Sequence, residues 1–171
     1  MADFQKALAY IKPNEGGFTD DPQDHGGRTM YGITQHTLDV FRITFPSAGF
    51  PLDVKYLTWE QAGRIYHDQY WIFEGISDDR VASKLFDVYI NLPPAKAIKL
   101  FQVSANAVNP DSDLEIDGRL GPKTVRAING SIPSDFLADL VSELSAYYTS
   151  LNQPKFLLGW LKRAARLPPE E

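Results

Sequence analysis

A segment of 20 residues near the N-terminus constrains the fold of this chain more than any other feature. Residues 15–34 read EGGFTDDPQDHGGRTMYGIT and hold five of the chain's 12 glycines. A glycine inside a helix costs about 1 kcal/mol relative to alanine, so this segment cannot be helix interior. Turn residues at Pro22 and Gly26-Gly27 precede the β-prone run Thr29-Met30-Tyr31, which predicts a small β-hairpin.

Helical periodicity dominates the rest of the chain. Apolar residues recur at spacings of three and four, the pattern of amphipathic helices. The predicted helices begin near Phe4, Thr58, Val81, Pro94, Lys123, Ser134 and Lys155. Thr58 opens a capping box with Gln61, and Ser134 is the predicted N-cap of its helix. We therefore predict a mainly α fold with a small β-hairpin in the N-terminal third.

Composition excludes several classes of protein. The chain has 171 residues, a length that can bury a sizeable core in one domain. It has no cysteine, so we expect neither a disulfide framework nor a thiolate zinc site. The net charge of −5 argues against nucleic acid as the main partner, because phosphate binding needs clustered Lys and Arg.

Targeting features are absent from the sequence pattern. The N-terminal residues lack the apolar core of a signal peptide, and no apolar run reaches the roughly 20 residues that cross a bilayer. We expect synthesis in the bacterial cytoplasm, with delivery by another agent if the protein acts outside it.

Acidic residues of the glycine-rich segment are the first candidates for chemistry. Glu15 follows the first helix, eight residues separate it from Asp24, and four more separate Asp24 from Thr29. Glycosidic hydrolysis needs one carboxylic acid to protonate the leaving oxygen and usually a second carboxylate across the sugar. Glu15 is the candidate acid, Asp24 the carboxylate that activates water, and the Thr29 hydroxyl a holder of that water.

Two other interpretations of these acids stay open at this point. Asp20, Asp21 and Asp24 are also typical turn residues, because Asp hydrogen-bonds its own backbone. A metal site of Asp20, Asp24 and His25 is disfavoured, since the spacing matches no calcium loop. We expect no metal and no cofactor.

The same segment carries a resemblance to a known family. The residues concerned are Glu15-Gly16-Gly17-Phe18, Asp21-Pro22, Asp24, Gly26-Gly27, Thr29 and Gly32-Ile33-Thr34. They resemble the signature of glycoside hydrolase family 108, lysozyme-like N-acetylmuramidases found as phage endolysins and bacterial lytic proteins. Further matches are residues 66–71, 86–91, 116–124 and 159–163, of which 116–124 resembles the D-G-x-x-G-P-x-T element of peptidoglycan-binding regions.

The resemblance implies a lysozyme-like α+β fold and a peptidoglycan hydrolase that cleaves the β-1,4 bond between N-acetylmuramic acid and N-acetylglucosamine. It also implies one domain over residues 1–171, with the catalytic signature in 1–92 and a helical part with a peptidoglycan-binding-like loop in 93–171. The partner would be bacterial peptidoglycan, met in the periplasm by a monomer. Two alternatives remain, a lytic transglycosylase and a non-catalytic wall-binding module.

Aromatic and amide side chains supply the predicted substrate contacts. The residues that we predict to bind substrate are Asp21, Tyr31, Tyr70, Trp71, Asp87 and Asn91. The rings suit stacking on sugars, although Tyr70 and Trp71 also fit the core side of an amphipathic helix. Asp87 and Asn91 lie four residues apart, and either bind acetamido and hydroxyl groups or satisfy buried backbone groups.

Two local features complete the expectations. Pro13 disfavours α conformation at Lys12 and predicts a kink just before Glu15. Residues 155–166 hold four basic residues and no acid, which gives an amphipathic basic helix. This helix either packs its apolar face on the core or contacts the anionic cell envelope.

Overall fold

A computed structural model of the chain describes residues 1–20 and 27–170. The chain divides into two compact units, Leu8–Trp71 and the combination of Met1–Ala7 with Ile72–Glu171. In the described part of the chain, eight α-helices and one two-stranded antiparallel sheet form the regular structure. The predicted mainly α fold with a small hairpin in the N-terminal third is therefore confirmed.

The Leu8–Trp71 unit contains the hairpin and the helices around it. Its elements are the end of α1 (Phe4–Ile11), β1 (Thr29–Met30), β2 (Ile33–Thr34), α2 (Gln35–Thr44), α3 (Trp59–Tyr70) and three short 3-10 helices (Lys12–Asn14, Pro46–Ala48 and Val54–Tyr56). Buried aliphatic and aromatic side chains from all three helices form the core, among them Ile11, Leu38, Phe41 and Ile65. The Thr58 capping box at the start of α3 is present as predicted.

The hairpin turn lies at Tyr31-Gly32. Thr29 pairs with Thr34 and Met30 with Ile33, and the two turn residues have φ of 52° and 72°. Left-handed conformation at both central positions matches the twist of the flanking strands. The turn residues proposed from sequence, Pro22 and Gly26, lie outside the described residues, and Gly27 precedes β1.

Pro13 acts as its sequence position predicts. The α1 helix ends at Ile11, and the chain continues as the 3-10 helix Lys12–Asn14, with proline in its first turn. Glu15 then adopts an extended conformation, with φ −87° and ψ 123°. The change from helical to extended backbone directs the chain from α1 toward the hairpin.

The second unit consists of helices. They are α4 (Asp79–Asn91), α5 (Pro94–Val108), α6 (Pro122–Asn129), α7 (Pro133–Ser150) and α8 (Pro154–Ala165). Fully buried aromatic side chains form its centre, including Phe73, Phe86, Phe101 and Phe136. Among the described residues, no helix is both long enough and apolar enough to cross a membrane.

One predicted helix cap is wrong. The α7 helix begins at Pro133 with Ile132 as its N-cap, and the Ser134 hydroxyl hydrogen-bonds the Asp135 carboxylate instead of capping the helix. Proline at the first helical position has its φ already set for the helix and lacks the N–H that a cap would satisfy. Pro133 therefore determines the start of α7.

Candidate active site

Glu15 lies where the 3-10 helix Lys12–Asn14 meets the glycine-rich segment. Its side chain is half-buried, and its N–H donates to the Lys12 carbonyl at 3.2 Å. The next residue joins the hairpin, because the Gly16 carbonyl accepts a hydrogen bond from Tyr31 N–H at 3.1 Å. The backbone on both sides of Glu15 is thus fixed, as a positioned catalytic carboxyl requires.

Thr29 lies on β1 beside Thr19. The two residues exchange backbone hydrogen bonds of 2.9 and 3.0 Å, and their hydroxyl oxygens lie 2.7 Å apart. The Thr29 hydroxyl therefore helps to fix the hairpin to the segment that follows Glu15. This contact uses one of its hydrogen bonds and leaves further capacity on the same oxygen.

Gly32 gives the Glu15 carboxyl its space. A Cβ atom built on Gly32 would lie 2.6 Å from Glu15 Oε2 and 2.7 Å from the Tyr66 hydroxyl oxygen. The two oxygens thus converge on the hairpin turn from different elements. Tyr66, on α3, also donates its hydroxyl proton to the Tyr31 carbonyl at 2.8 Å.

Aromatic rings line this region of the Leu8–Trp71 unit. Tyr31 meets Trp59 edge-on at 5.3 Å, and Tyr66 lies 6.4 Å from Trp59 and 6.0 Å from Tyr70. The Lys12 ammonium lies over the Trp59 ring at 5.5 Å.

The aromatic residues of this region differ in exposure. Tyr31 and Tyr70 are half-buried and keep part of each ring accessible, whereas Trp71 is only 6% exposed. Burial of Trp71 favours its interpretation as a core residue.

The sequence does not indicate Trp59 and Tyr66 as site residues. Both continue the helical apolar stripe of α3, which is the pattern of a core face. Nothing in that local pattern indicates that the tyrosine hydroxyl and the Glu15 carboxyl both approach Gly32 at the hairpin turn.

Arg28, the residue before β1, forms an ion pair with Asp53. Arg28 Nη2 donates to both carboxylate oxygens of Asp53 at 2.8 and 2.7 Å, and Asp20 Oδ2 lies 3.7 Å from Arg28 Nε. The hydrogen bonds from Arg28 lower the pKa of Asp53, and the same bonds raise the pKa of Arg28. The predicted site residues Asp21 and Asp24 lie outside the described residues.

Asp87 and Asn91 lie on α4 in the other unit. The Asp87 side chain is buried, and its Oδ1 accepts from Arg163 Nε at 3.1 Å and Nη2 at 2.9 Å. Asn91 is exposed and donates from its side-chain amide to the Asp87 carbonyl at 2.6 Å. Of the two interpretations from sequence, this geometry favours the one in which the pair serves the fold.

Lys84 completes this buried charged cluster, and the sequence alone does not indicate its role. Its Nζ donates to the carbonyls of Arg163, Ala164 and Arg166, at 3.0, 2.9 and 2.8 Å. These are backbone groups at the C-terminal end of α8, where a cation is electrostatically favoured. Burial lowers the pKa of Lys84 to about 8, against the raising influence of Asp87.

The 116–124 loop, whose last three residues begin α6, is held by the buried side chain of Gln102. Its amide nitrogen donates to Asp117 Oδ1 at 2.7 Å and to Thr124 Oγ1 at 3.2 Å. Its amide oxygen accepts from Gly118 N–H at 2.9 Å. Internal hydrogen bonds thus explain why these residue types occur in the loop. A role in peptidoglycan binding remains a prediction.

The described residues contain no group of three or more metal-ligating side chains close enough to hold an ion. The chemistry available in the Leu8–Trp71 unit is that of a positioned carboxyl, hydroxyl groups and aromatic rings. A positioned carboxyl of this kind can serve as an acid in glycosidic hydrolysis, which usually also needs a second carboxylate.

Comparison with known proteins agrees with this class. The family model described as Glycosyl hydrolase 108 matches residues 8–92, just under half of the chain, and supports a glycosidase. A solved structure, described as "Structure of Brucella abortus SagA", is 29% identical, with 95% of this chain and 90% of that chain covered and a TM-score of 0.72. The predicted lysozyme-like, mainly α fold is confirmed. No curated protein matches the chain.

Proposed function

We propose that the protein is a peptidoglycan hydrolase of glycoside hydrolase family 108. In this proposal it is an N-acetylmuramidase that cleaves the β-1,4 bond between N-acetylmuramic acid and N-acetylglucosamine. The observation that carries the proposal is the position of Glu15, whose carboxyl reaches the Gly32 turn inside the segment that the family model matches.

Glu15 acts as the general acid in this mechanism. It protonates the glycosidic oxygen as the bond to the anomeric carbon breaks, and the departing sugar leaves as an alcohol. Asp24 accepts a proton from a water molecule, which attacks the opposite face of the ring. Thr29 orients this water with the hydrogen-bonding capacity that its contact with Thr19 leaves. Water on the opposite face makes the reaction inverting.

The proposed substrate contacts are chosen by how much of each side chain is exposed. Tyr31 and Tyr70 present partly accessible rings suited to the apolar faces of sugars, and Asp21 lies in the same segment as the acid. Trp71, Asp87 and Asn91 serve the fold of their own units in this proposal. Their burial or internal hydrogen bonds leave less of them for a ligand.

Replacing Glu15 with glutamine tests the proposal. Glu15→Gln keeps the size of the side chain but cannot donate the proton, so turnover of purified peptidoglycan should fall by at least ~100-fold. Glu60→Gln is the matched control, because Glu60 is exposed in the first turn of α3 of the same unit. A folded Glu15→Gln protein with near wild-type turnover would contradict the assignment.

Product analysis separates the proposed reaction from its rivals. Mass spectrometry of digested peptidoglycan should show new reducing ends. Anhydro-sugars would indicate a lytic transglycosylase, which uses one acid and no Asp24, and absence of released fragments would indicate a binding module. NMR of the first product should show inverted anomeric configuration; retention would exclude water activation by Asp24 in a single displacement.

Contact with the anionic cell envelope is proposed for α8. Lys155 and Lys162 are exposed there, and the exposed apolar residues Phe156 and Leu158 lie on the same helix. Arg163 is engaged by Asp87 and is not counted in this surface. Peptidoglycan lies outside the cytoplasm, so in this proposal the protein acts in the periplasm after release. We propose separately that it acts there as a monomer.

Binding to cell walls tests this surface. The double variant Lys155→Gln/Lys162→Gln should bind isolated walls more weakly than wild type at low salt and equally at high salt, because exposed charges are screened over about 10 Å at 0.1 M. Lys96→Gln/Lys99→Gln removes the same charge from exposed positions on α5 and serves as the control. Equal wall binding by all three proteins across the salt range would show that α8 is only structural.

A further inference from the structure

Three groups from different elements meet at the hairpin turn. Gly32 has no side chain there, Glu15 Oε2 comes from the end of the 3-10 helix, and the Tyr66 hydroxyl comes from α3. Both oxygens would be less than 3 Å from a Cβ atom on Gly32. Each oxygen therefore occupies space that any residue other than glycine would fill.

The hydroxyl proton of Tyr66 is already committed. The Tyr31 carbonyl can only accept a hydrogen bond, so the 2.8 Å contact between the two groups requires Tyr66 to be the donor. A phenol has one proton, and the Tyr66 oxygen is left with lone pairs for its other neighbours. A lone pair is complementary to a protonated carboxyl, which donates, and not to an ionised carboxylate, which only accepts.

We infer that Tyr66 is a positioning residue that holds the Glu15 carboxyl at the hairpin turn and favours its protonated form. The inference rests on the proposed function, in which Glu15 donates a proton to the glycosidic oxygen. A hydrogen bond to the neutral form of an acid keeps the proton bound to higher pH. Tyr66 thereby extends the pH range over which Glu15 can act as an acid.

Other charged and titratable groups lie on the described elements around the turn, and Tyr31 carries a phenol at the turn itself. A cation such as Lys12, on the 3-10 helix, favours the ionised form of the Glu15 carboxyl. The Lys12 ammonium, however, lies over the Trp59 ring. On the hairpin side, the Arg28 guanidinium is held by Asp53. On α3 the charged and titratable groups besides Tyr66 are Glu60, Arg64, His67, Asp68 and Tyr70, of which His67 and Asp68 pair at 3.1 Å.

The test is Tyr66→Phe, which removes the hydroxyl and keeps the ring in the aromatic cluster. The alkaline limb of the pH profile of kcat should move to lower pH by about one unit, so that kcat on the alkaline limb falls ~10-fold while KM changes less than twofold. Tyr56→Phe is the control, because it removes a hydroxyl from a side chain of the same unit that is 69% exposed. Its profile should match that of wild type.

A titration without activity separates this inference from the proposed function. In protein labelled with ¹³C at the glutamate carboxyls, the Glu15 signal is the one that Glu15→Gln removes. Its titration midpoint should fall in Tyr66→Phe and stay in Tyr56→Phe. An unchanged midpoint in folded Tyr66→Phe, or a loss of kcat equal at every pH, would overturn the inference. An active Glu15→Gln protein would refute the proposed function instead, and the carboxyl titration would still decide the role of Tyr66.

Discussion

Two glycines in left-handed turns, one in each unit, have different neighbours. Gly32 has φ +72°, and a Cβ atom there would meet the side-chain oxygens of Glu15 and Tyr66. Gly118 has φ +78°, and a Cβ atom there would meet the backbone carbonyl oxygen of Ala95 at 2.8 Å. The first glycine leaves room for a group with acid chemistry, whereas the second permits two backbone segments to approach. A glycine-rich turn in a sequence does not distinguish these roles.

The polar groups around the two turns differ in the same way. Near Gly118, Gln102 bonds loop atoms through both ends of its amide, so its hydrogen-bonding capacity serves the loop itself. At Gly32, a carboxyl and a phenol oxygen converge beside aromatic rings. We expect substitutions at the first turn to change activity and those at the second to change stability.

Gly32→Ala should have the largest effect. The methyl group would collide with both oxygens and displace the Glu15 carboxyl, and a misplacement of about 1 Å can cost ~100-fold in turnover. Gly49→Ala is the matched control, because Gly49 has φ +70° in the same unit and no atom beyond its chain neighbours lies within 4 Å of the position that its methyl group would take. Both variants carry the left-handed strain, so only the collision distinguishes them. Equal turnover of the two folded variants would show that Gly32 is needed for the turn alone.

Gly118→Ala should destabilise the protein without changing the turnover of the folded fraction. Contact with the Ala95 carbonyl and left-handed strain should together cost about 2 kcal/mol in the free energy of unfolding. Gly159→Ala, in the interior of α8 with open space around it, should instead raise stability by up to about 1 kcal/mol. Urea unfolding measures both. Loss of turnover in folded Gly118→Ala would mean that the 116–124 loop takes part in activity.

The parts of the fold that could be predicted from the sequence depend on local patterns of residues. The apolar spacing of α1, the Thr58 capping box and the glycine-rich hairpin each depend on neighbours within a few residues, and each is present. The predicted start of α7 is wrong because serine and proline compete for adjacent positions, and the set φ of Pro133 prevails.

Long-range contacts explain what could not be predicted. Arg163 pairs with Asp87 across 76 positions of sequence, and Tyr66 reaches the Tyr31 carbonyl across 35. Spacing within one helix shows which side chains share a face, but not which residue of a distant segment meets them. Glu15 could be predicted as a site residue because it lies in the same sequence segment as the turn. Tyr66 could not be predicted, because it lies on α3, far from that segment in sequence.

The smallest expected effect concerns Lys84, whose charge serves the helical unit. Its pKa is about 8 in the folded protein, below its value of 10.5 in the unfolded chain. Between these values the unfolded chain binds more protons, so raising the pH through this range favours the folded state. The stability difference between wild type and Lys84→Gln should therefore grow by about 1 kcal/mol from pH 7 to pH 9, measured by urea unfolding.

Lys84→Gln should be less stable at both pH values, because it cannot supply three hydrogen bonds to the end of α8. A difference that shrinks as the pH rises would mean that the three carbonyls bind the ammonium form more strongly than burial disfavours it. In that case the folded protein would stabilise the charged form of Lys84, whereas the proposed contact at Gly32 stabilises the neutral form of Glu15.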